Sequence, residues 1–337
     1  MSDEITIRAY RPGDEHSLVE GCNKIFPQST SLQHWYWKFR DAPMGNNPVG
    51  RPHIAVAEAQ DVGIVGTYST MSTRVRMEGE DLLTAQGADI FIFPEFRRKA
   101  PRPGLFVQLG LRHNEMFTGT DHGQARFHYG WPIPNWRIGQ RYLRYENIRD
   151  WDFLFRETPA GGFPTRAQSA DLEVTQVDRY GADVDQLWEA RRDDAGLAVI
   201  RDRAYLNWRY ADALDRDYEL YECRERRSGL LRGIFVFARS NFLFPGSAFI
   251  IDWLCPKDDE DTTVAMLAMA ERRTTESKRS VLATLFSQVD DRFLQFQKLG
   301  FLVYGTSYFL VVIPFDNRGT LFYREQWYMT PGDSDLI

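Results

Sequence analysis

The sequence predicts an α/β protein of two tandem domains, each a twisted, mostly antiparallel mixed sheet flanked by helices. Three observations carry that prediction. The chain has 337 residues, more than one domain usually takes. A stretch that fits no regular element, Glu157-Thr-Pro-Ala-Gly-Gly-Phe-Pro-Thr-Arg-Ala-Gln-Ser-Ala170, divides it near the middle. The order of strands and helices before that stretch then returns after it. The expected boundaries are a first domain over 1–156, a linker over 157–170, a second domain over 171–316 and a C-terminal tail over 317–337.

In the first half, Ile5-Thr-Ile-Arg-Ala-Tyr10 alternates as a strand, and Arg11-Pro-Gly-Asp14 turns the chain into a helix near 14–24. A second helix covers 31–40, Ser-Leu-Gln-His-Trp-Tyr-Trp-Lys-Phe-Arg. Pro43, Gly45, Pro48, Gly50 and Pro52 mark a loop. Strands are expected over 53–59 and 62–77, around a Gln60-Asp61 turn, and over 82–93 after Glu78-Gly-Glu-Asp81. A helix over 104–118 places Leu105, Phe106, Leu109, Met116 and Phe117 on one face. A short strand over 125–131 and a last, longer one over 142–155 complete the half. In the second half the expectation is a strand over 171–178 and helices over 181–193 and 202–211. Strands over 217–224, 229–239 and 246–255 follow, then a helix over 260–277, a strand over 280–286, a helix over 290–299 and a final strand over 301–314.

Residues repeat along with the order. Trp37-Lys-Phe39 matches Trp208-Arg-Tyr210, Gly63-Ile-Val-Gly66 matches Gly229-Leu-Leu-Arg-Gly233, and Asp89 with Pro94 matches Asp252 with Pro256. The offset shrinks along the chain, as loop deletions in a duplicated sequence produce.

Composition narrows the function. A net charge of −6 gives no global attraction to nucleic acid or anionic lipid, so neither is an expected partner. Cys22, Cys223 and Cys255 stand apart, without zinc or disulfide spacing, which fits a reducing compartment. The start of the chain is charged and has no apolar signal core, and the run Phe309–Phe315 is only strand-length. The expected location is the cytoplasm. A homodimer is compatible with these readings. A Walker loop, a nucleophile elbow and a GxGxxG after a strand are all missing from the sequence, which leaves kinase, hydrolase and Rossmann oxidoreductase readings without support.

Three stretches carry a family resemblance. The first is His34-Trp-Tyr-Trp-Lys-Phe39 with its Pro/Gly loop and the hairpin Val62-Gly-Ile-Val-Gly66. The second is Asp89-Ile-Phe-Ile-Phe-Pro-Glu-Phe-Arg-Arg-Lys99, and the third is Tyr129-Gly-Trp-Pro-Ile-Pro-Asn135. Together they resemble the GNAT superfamily of acyl-CoA-dependent N-acyltransferases over most of 4–155, and more loosely over 171–314. The resemblance implies acetyl-CoA or another acyl-CoA as co-substrate, and no metal. Its expected contacts are Phe91, Ile92 and Phe93 on the strand, Arg97, Arg98, Lys99 and Arg102 in the loop, Gly104 and Leu105 opening the helix, and Asn135. A pyrophosphate needs backbone N–H groups at a helix N-terminus and nearby cations, and this stretch supplies the cations. The sequence departs from the family where Ala100-Pro-Arg-Pro103 precedes the helix, since Pro101 and Pro103 have no N–H to donate. Either arginine side chains have replaced the glycine-rich loop, or tight CoA binding has been lost. In the second copy, Cys255-Pro-Lys-Asp-Asp-Glu-Asp261 has four carboxylates and no glycine, so it reads as a degenerate, non-binding copy.

Acyl transfer to an amine needs a group that takes its proton and one that protonates the departing thiolate. Asp89 is the first candidate base, acting directly or through water. A carboxylate on an apolar strand is costly unless paired or used, and Asp252 in the degenerate copy favours a structural role, so both readings of Asp89 stand. Tyr129 and Tyr142 are candidate acids, with His128 weighed beside them, and Glu58 is a further base. His34, Trp35, Trp37, Trp208 and Tyr210 read as packing. The resulting expectation is direct transfer from acyl-CoA to an amine of a small molecule in a cleft between the domains. The alternatives are a non-catalytic binding or scaffold protein with both loops degenerate, other acyl-CoA chemistry on the same fold, and a Fem-type aminoacyl transferase using aminoacyl-tRNA.

Overall fold

A computed structural model describes residues 4–43, 52–97, 101–131 and 136–336. In chain order the elements begin β1 (Ile5–Ala9), α1 (Asp14–Ile25), α2 (Leu32–Phe39), β2 (His53–Ala59), β3 (Gly63–Met77), β4 (Glu80–Gly87) and β5 (Phe91–Ile92). They continue with α3 (Leu105–Phe117), β6 (Ala125–Gly130), α4 (Trp136–Tyr142), β7 (Glu146–Asp150), β8 (Phe153–Glu157), β9 (Leu172–Val177), α5 (Asp183–Glu189), β10 (Leu197–Val199) and α6 (Arg203–Leu206). The last are β11 (Tyr218–Glu225), β12 (Leu231–Ser240), β13 (Ser247–Leu254), α7 (Glu260–Glu276), β14 (Val281–Thr284), α8 (Asp291–Lys298), β15 (Leu302–Tyr304), β16 (Phe309–Pro314), α9 (Thr320–Gln326) and β17 (Trp327–Tyr328).

The chain forms two compact units. One comprises Met1–Val75, Asp81–Arg149 and Tyr308–Arg324; the other comprises Arg76–Glu80, Asp150–Ser307 and Glu325–Ile337. The first sheet runs β1-β2-β3-β4-β6-β16-β7 and the second β9-β11-β12-β13-β14-β8-β15. Strand for strand this is one order. Each sheet contains a parallel pair at the same place, β4 with β6 and β13 with β14. The duplication expected from the sequence is therefore visible in topology.

Packing in the first unit follows from alternation. On β2, Ala55, Ala57 and Ala59 share a core with Leu105, Val107 and Leu109 of α3. Ile54 and Val56 point to the other face, with Leu18, Cys22, Trp35 and Phe39 of α1 and α2. A strand covered on both faces has few polar positions to alternate with apolar ones, which is why Ile54-Ala-Val-Ala57 is apolar throughout.

Strands are allotted differently from a cut at 157–170. The stretch expected as one strand over 142–155 is α4, β7 and β8, and β8 pairs with β14 and β15 in the second sheet. The stretch expected over 301–314 breaks at Gly305, and β16 pairs with β6 in the first sheet. Each copy thus gives its last strand to the other copy's sheet. The 158–170 stretch is pinned rather than loose: Phe163 N donates to Thr275 Oγ1 at 3.1 Å, and Arg166 meets Glu271 of α7 at 2.7 Å. The helix expected over 202–211 is α6 followed by a π-helical turn, Asn207–Ala211. The expected tail is structured, for 327–334 are buried and β17 pairs parallel with β10.

Candidate active site

In the first unit, β4 and β6 run in parallel through Ala85 opposite His128 and Gln86 opposite Tyr129. They part just beyond Gly87 and Gly130. Ala88 N still bonds Ser69 O on β3, whereas Phe91 lies opposite Thr67 and Ile92 opposite Gly66. Three steps along 88–91 thus match two along β3. The extra residue is a bulge, which turns the strand away from β6 and re-aims its side chains. Asp89 sits in that bulge with φ 51°, a left-handed conformation that non-glycine residues seldom hold. The strand expected over 82–93 is therefore two segments, with Asp89 at the joint.

Asp89 is half-buried, and its Oδ1 lies 3.0 Å from Nζ of Lys38 on α2. Lys38 is only 6 % exposed. Cys22, on α1 beside them, has its thiol pushed up to about 12 by burial and then by the Asp89 charge, with Lys38 opposing. Phe91 covers the same helix, where a Cβ at Gly21 would lie 2.2 Å from its ring. The lysine was legible in Trp35-Tyr-Trp-Lys-Phe39: a charge on an otherwise aromatic helix face needs a partner, and the reading of that face as packing missed it.

Beyond the bulge, Phe93 N bonds Val65 O, and Arg97 Nε donates to Ile92 O at 3.3 Å. Arg97 and Arg102 are exposed; Arg98, Lys99 and Asn135 lie outside the described residues. Gly104 caps α3 with φ 100°; among the described residues no side chain accepts from the helix's first turn, and none beyond the chain neighbours lies within 4 Å of where its Cβ would be. Gln108 N makes the first intrahelical bond, to Gly104 O, so the N–H groups of Leu105, Phe106 and Val107 have no acceptor within the helix. Leu105 itself is buried.

The other candidates are spread out. Tyr129 is buried on β6, with its ring 6.0 Å from that of Trp131. Tyr142 is exposed at the end of α4, under the Arg141 guanidinium. Glu58 is held by Arg8 at 2.8 Å and lines a depression of about 530 Å³ with Glu4, Gln60 and Asp61. It sits at the far end of β2, opposite Ile64, and no bond joins it to Asp89. His128 is enclosed: its ring meets His113 and Phe315, each at 5.0 Å, and among the described residues neither ring nitrogen has a hydrogen-bond partner. Among the described residues no group of His, Cys, Asp and Glu could hold a metal ion, and no helix is long and apolar enough to cross a membrane.

The second unit has the same bulge and different contents. Val236 lies opposite Asp252 but Phe237 opposite Ile250. Asp252 is fully buried and bonded to Arg201 Nε at 2.8 Å, Tyr210 hydroxyl at 2.6 Å and Thr330 Oγ1 at 3.2 Å. Past the parallel pair, the C-terminal segment packs against the strand. Tyr328 donates its hydroxyl to Trp253 O and is flanked by Arg201 and Arg292 at 4.9 and 4.8 Å; Arg292 also donates to Cys255 O at 2.8 Å. At the N-terminus of α7, Asp259 accepts from Thr262 N at 3.0 Å.

No family model matches the chain, and no curated protein matches it in sequence. Solved structures do match. A probable N-acyltransferase from Enterococcus faecalis, described as a conserved protein of unknown function, is 10 % identical with a TM-score of 0.67 over 93 % of this chain and 73 % of that one. A GCN5-related N-acetyltransferase from Anabaena variabilis is 14 % identical, TM-score 0.62, over 92 % and 72 %. An N-myristoyltransferase from Saccharomyces cerevisiae, solved with bound myristoyl-CoA, is 11 % identical, TM-score 0.54, over 93 % and 79 %. At these identities the likeness concerns the fold: the chain has the tandem fold of GNAT and N-myristoyltransferase structures.

Proposed function

We propose that the chain is an acyl-CoA-dependent N-acyltransferase whose first unit carries the reaction, with the amine of a small molecule as acceptor. The observation that carries this reading is the parting of β4 and β6 at the Asp89 bulge, followed by the open N-terminus of α3 at Gly104. A thioester laid along 91–93 would meet backbone groups that β6 no longer covers. Its pyrophosphate would meet the N–H groups of the first turn of α3, which have no acceptor within the helix, with Arg97 and Arg102 nearby. Asp89 is the base of this reading, and Tyr129 and Tyr142 its candidate acids. The second unit is the non-binding copy, since Asp259 supplies an anion to α7 and Tyr328 takes the Trp253 carbonyl. Acyl-transferring neighbours with the same fold support the class of chemistry.

The test is thermal denaturation of the full chain with acetyl-, malonyl- and longer acyl-CoA. A ligand at a hundredfold excess over its Kd adds about 2.7 kcal/mol of stability. That shift should vanish in a variant with Arg97→Ala and Arg102→Ala. An unmoved melting curve at millimolar thioester would favour the non-catalytic reading, which draws its own support from Pro101 and Pro103 ahead of α3.

A further inference from the structure

Lys38 lies on α2 between Trp37 and Phe39, with almost none of its surface in contact with solvent. A lysine this deep keeps its charge only where an anion meets it, and here Asp89 Oδ1 does so at 3.0 Å. The carboxylate is not sealed in, for 28 % of its side chain remains exposed. Its backbone is held in the left-handed region at the joint where β4 leaves β6. Such a conformation persists where surroundings over-determine it, and it recurs at working sites. Cys22, the third polar group of the cluster, stays a neutral thiol. Lys38 thus engages one oxygen of Asp89, and among the described residues the other accepts no hydrogen bond.

We propose that Lys38 is a positioning residue for acyl transfer, anchoring one oxygen of Asp89 so that the other is presented to the acceptor's ammonium group. The inference rests on the acyltransferase reading above. In the step it serves, the acceptor ammonium gives one proton to the free Asp89 oxygen. The amine lone pair then forms a C–N bond at the thioester carbonyl and the C–S bond breaks. The CoA thiolate leaves and is protonated by the second proton that the nitrogen sheds. Lys38 is not itself the acceptor, because an amine held as an ammonium by a carboxylate has no lone pair to offer.

The experiment follows CoA release from acetyl-CoA by the full chain, with a pool of amino sugars, polyamines and amino acids as acceptors. Lys38→Met should bind acetyl-CoA with an unchanged Kd and, below its melting transition, lower the saturated rate roughly 10–100-fold, the usual effect of a misplaced catalytic group. In an Asp89→Asn background the same change should alter the rate less than about twofold, because Lys38 acts through Asp89. Should Lys38→Met not fold, Lys38→Gln, which is shorter and uncharged and so does not hold the Asp89 oxygen as the ammonium does, takes its place, and a loss in the same direction is expected. Full activity in folded Lys38 variants, or a loss that multiplies with Asp89→Asn, overturns the inference. Absence of CoA release by the unmutated chain overturns instead the reading on which it rests.

Discussion

The Asp259 carboxylate accepts the Thr262 amide at 3.0 Å, so α7 of the second unit caps itself with an anion where α3 of the first opens on Gly104. Burial works against that charge, but hydrogen bonds from Thr262 and Arg232 hold the Asp259 carboxyl below its usual range. The side chain that satisfies the helix also occupies the place where a bound phosphate would sit. Acyl-CoA should therefore bind at one site per chain by calorimetry. Asp259→Ala should cost about 1 kcal/mol, as a lost N-cap does, and leave that site untouched. A stoichiometry of two would show the second unit to be a working copy.

Asp89 and Asp252 stand at the bulges of corresponding strands, Asp89 inside one and Asp252 beside the other, and the same substitution should separate them. Asp252→Asn disturbs a buried cluster of Arg201, Tyr210, Thr330 and Asp333. It should destabilise the protein by roughly 3–5 kcal/mol in urea unfolding, as breaking a buried pair does. Asp89→Asn keeps an acceptor oxygen for Lys38 at a half-exposed site, so its cost should stay within about 1–3 kcal/mol. Turnover by the folded protein should fall by about 10²–10⁴ if Asp89 is the base. Equal destabilisation, with activity lost only in proportion to unfolded protein, would make Asp89 architecture.

What was legible in the sequence is what local pattern encodes. β1 announces itself by alternation, β2 and β3 by the turn between them and α3 by an apolar face, and the repeat of Asp89 at Asp252 marks two corresponding strands that both bulge. The break at Asp89 was hidden because Ile90-Phe-Ile-Phe93 keeps strand-forming residues coming straight after β4. The exchanges of β8 and β16 were hidden for a related reason. Neither Asp150-Trp-Asp152 nor Gly305-Thr-Ser307 names a partner, and the choice of sheet depends on partners far away in sequence, Leu282 for Arg156 and Tyr129 for Val312. Trp327-Tyr-Met329 was a usable signal, three large apolar residues in what was expected to be a tail. Of the candidate site, the Asp89 neighbourhood and the Gly104 helix start share one strand-to-helix passage, whereas Glu58 is engaged elsewhere.

Acid should destabilise the first unit through its buried histidines. Burial holds His53 down to about 4 and His113 down to about 3, and pushes His128 well below the ordinary imidazole range. These rings stay neutral when folded and take up protons when unfolded, so below about pH 6.5 the unfolded chain binds more protons. Stability then falls with pH, by about 1.4 kcal/mol per unit for each ring, until about pH 4 for His53 and about pH 3 for His113. His128→Phe, among His113 and Phe315, should flatten this acid limb, which urea midpoints at pH 7.5, 6 and 5 would read. An unchanged slope would mean that the three rings share their protons differently in the folded chain.

The exchange of last strands predicts that the halves cannot be separated at the linker. A fragment of residues 1–157 would keep β6 but lose β16, leaving the edge that Val311–Pro314 covers from Gly130 to Phe127 open and partly apolar. It would also carry β8, Phe153–Glu157, without β14 or β15 to pair with. An unpaired strand edge is a template for association, and Val311 and Ile313 belong to the main core of the first unit. The fragment should therefore aggregate or unfold without a cooperative transition, and so should residues 171–316, whose β14 would lack β8. Supplying a peptide of residues 305–326 to the first fragment should restore β16 and α9 and, with them, protection of the β6 amides from hydrogen exchange. Cooperative unfolding of 1–157 alone would show instead that β16 only covers a sheet already stable without it.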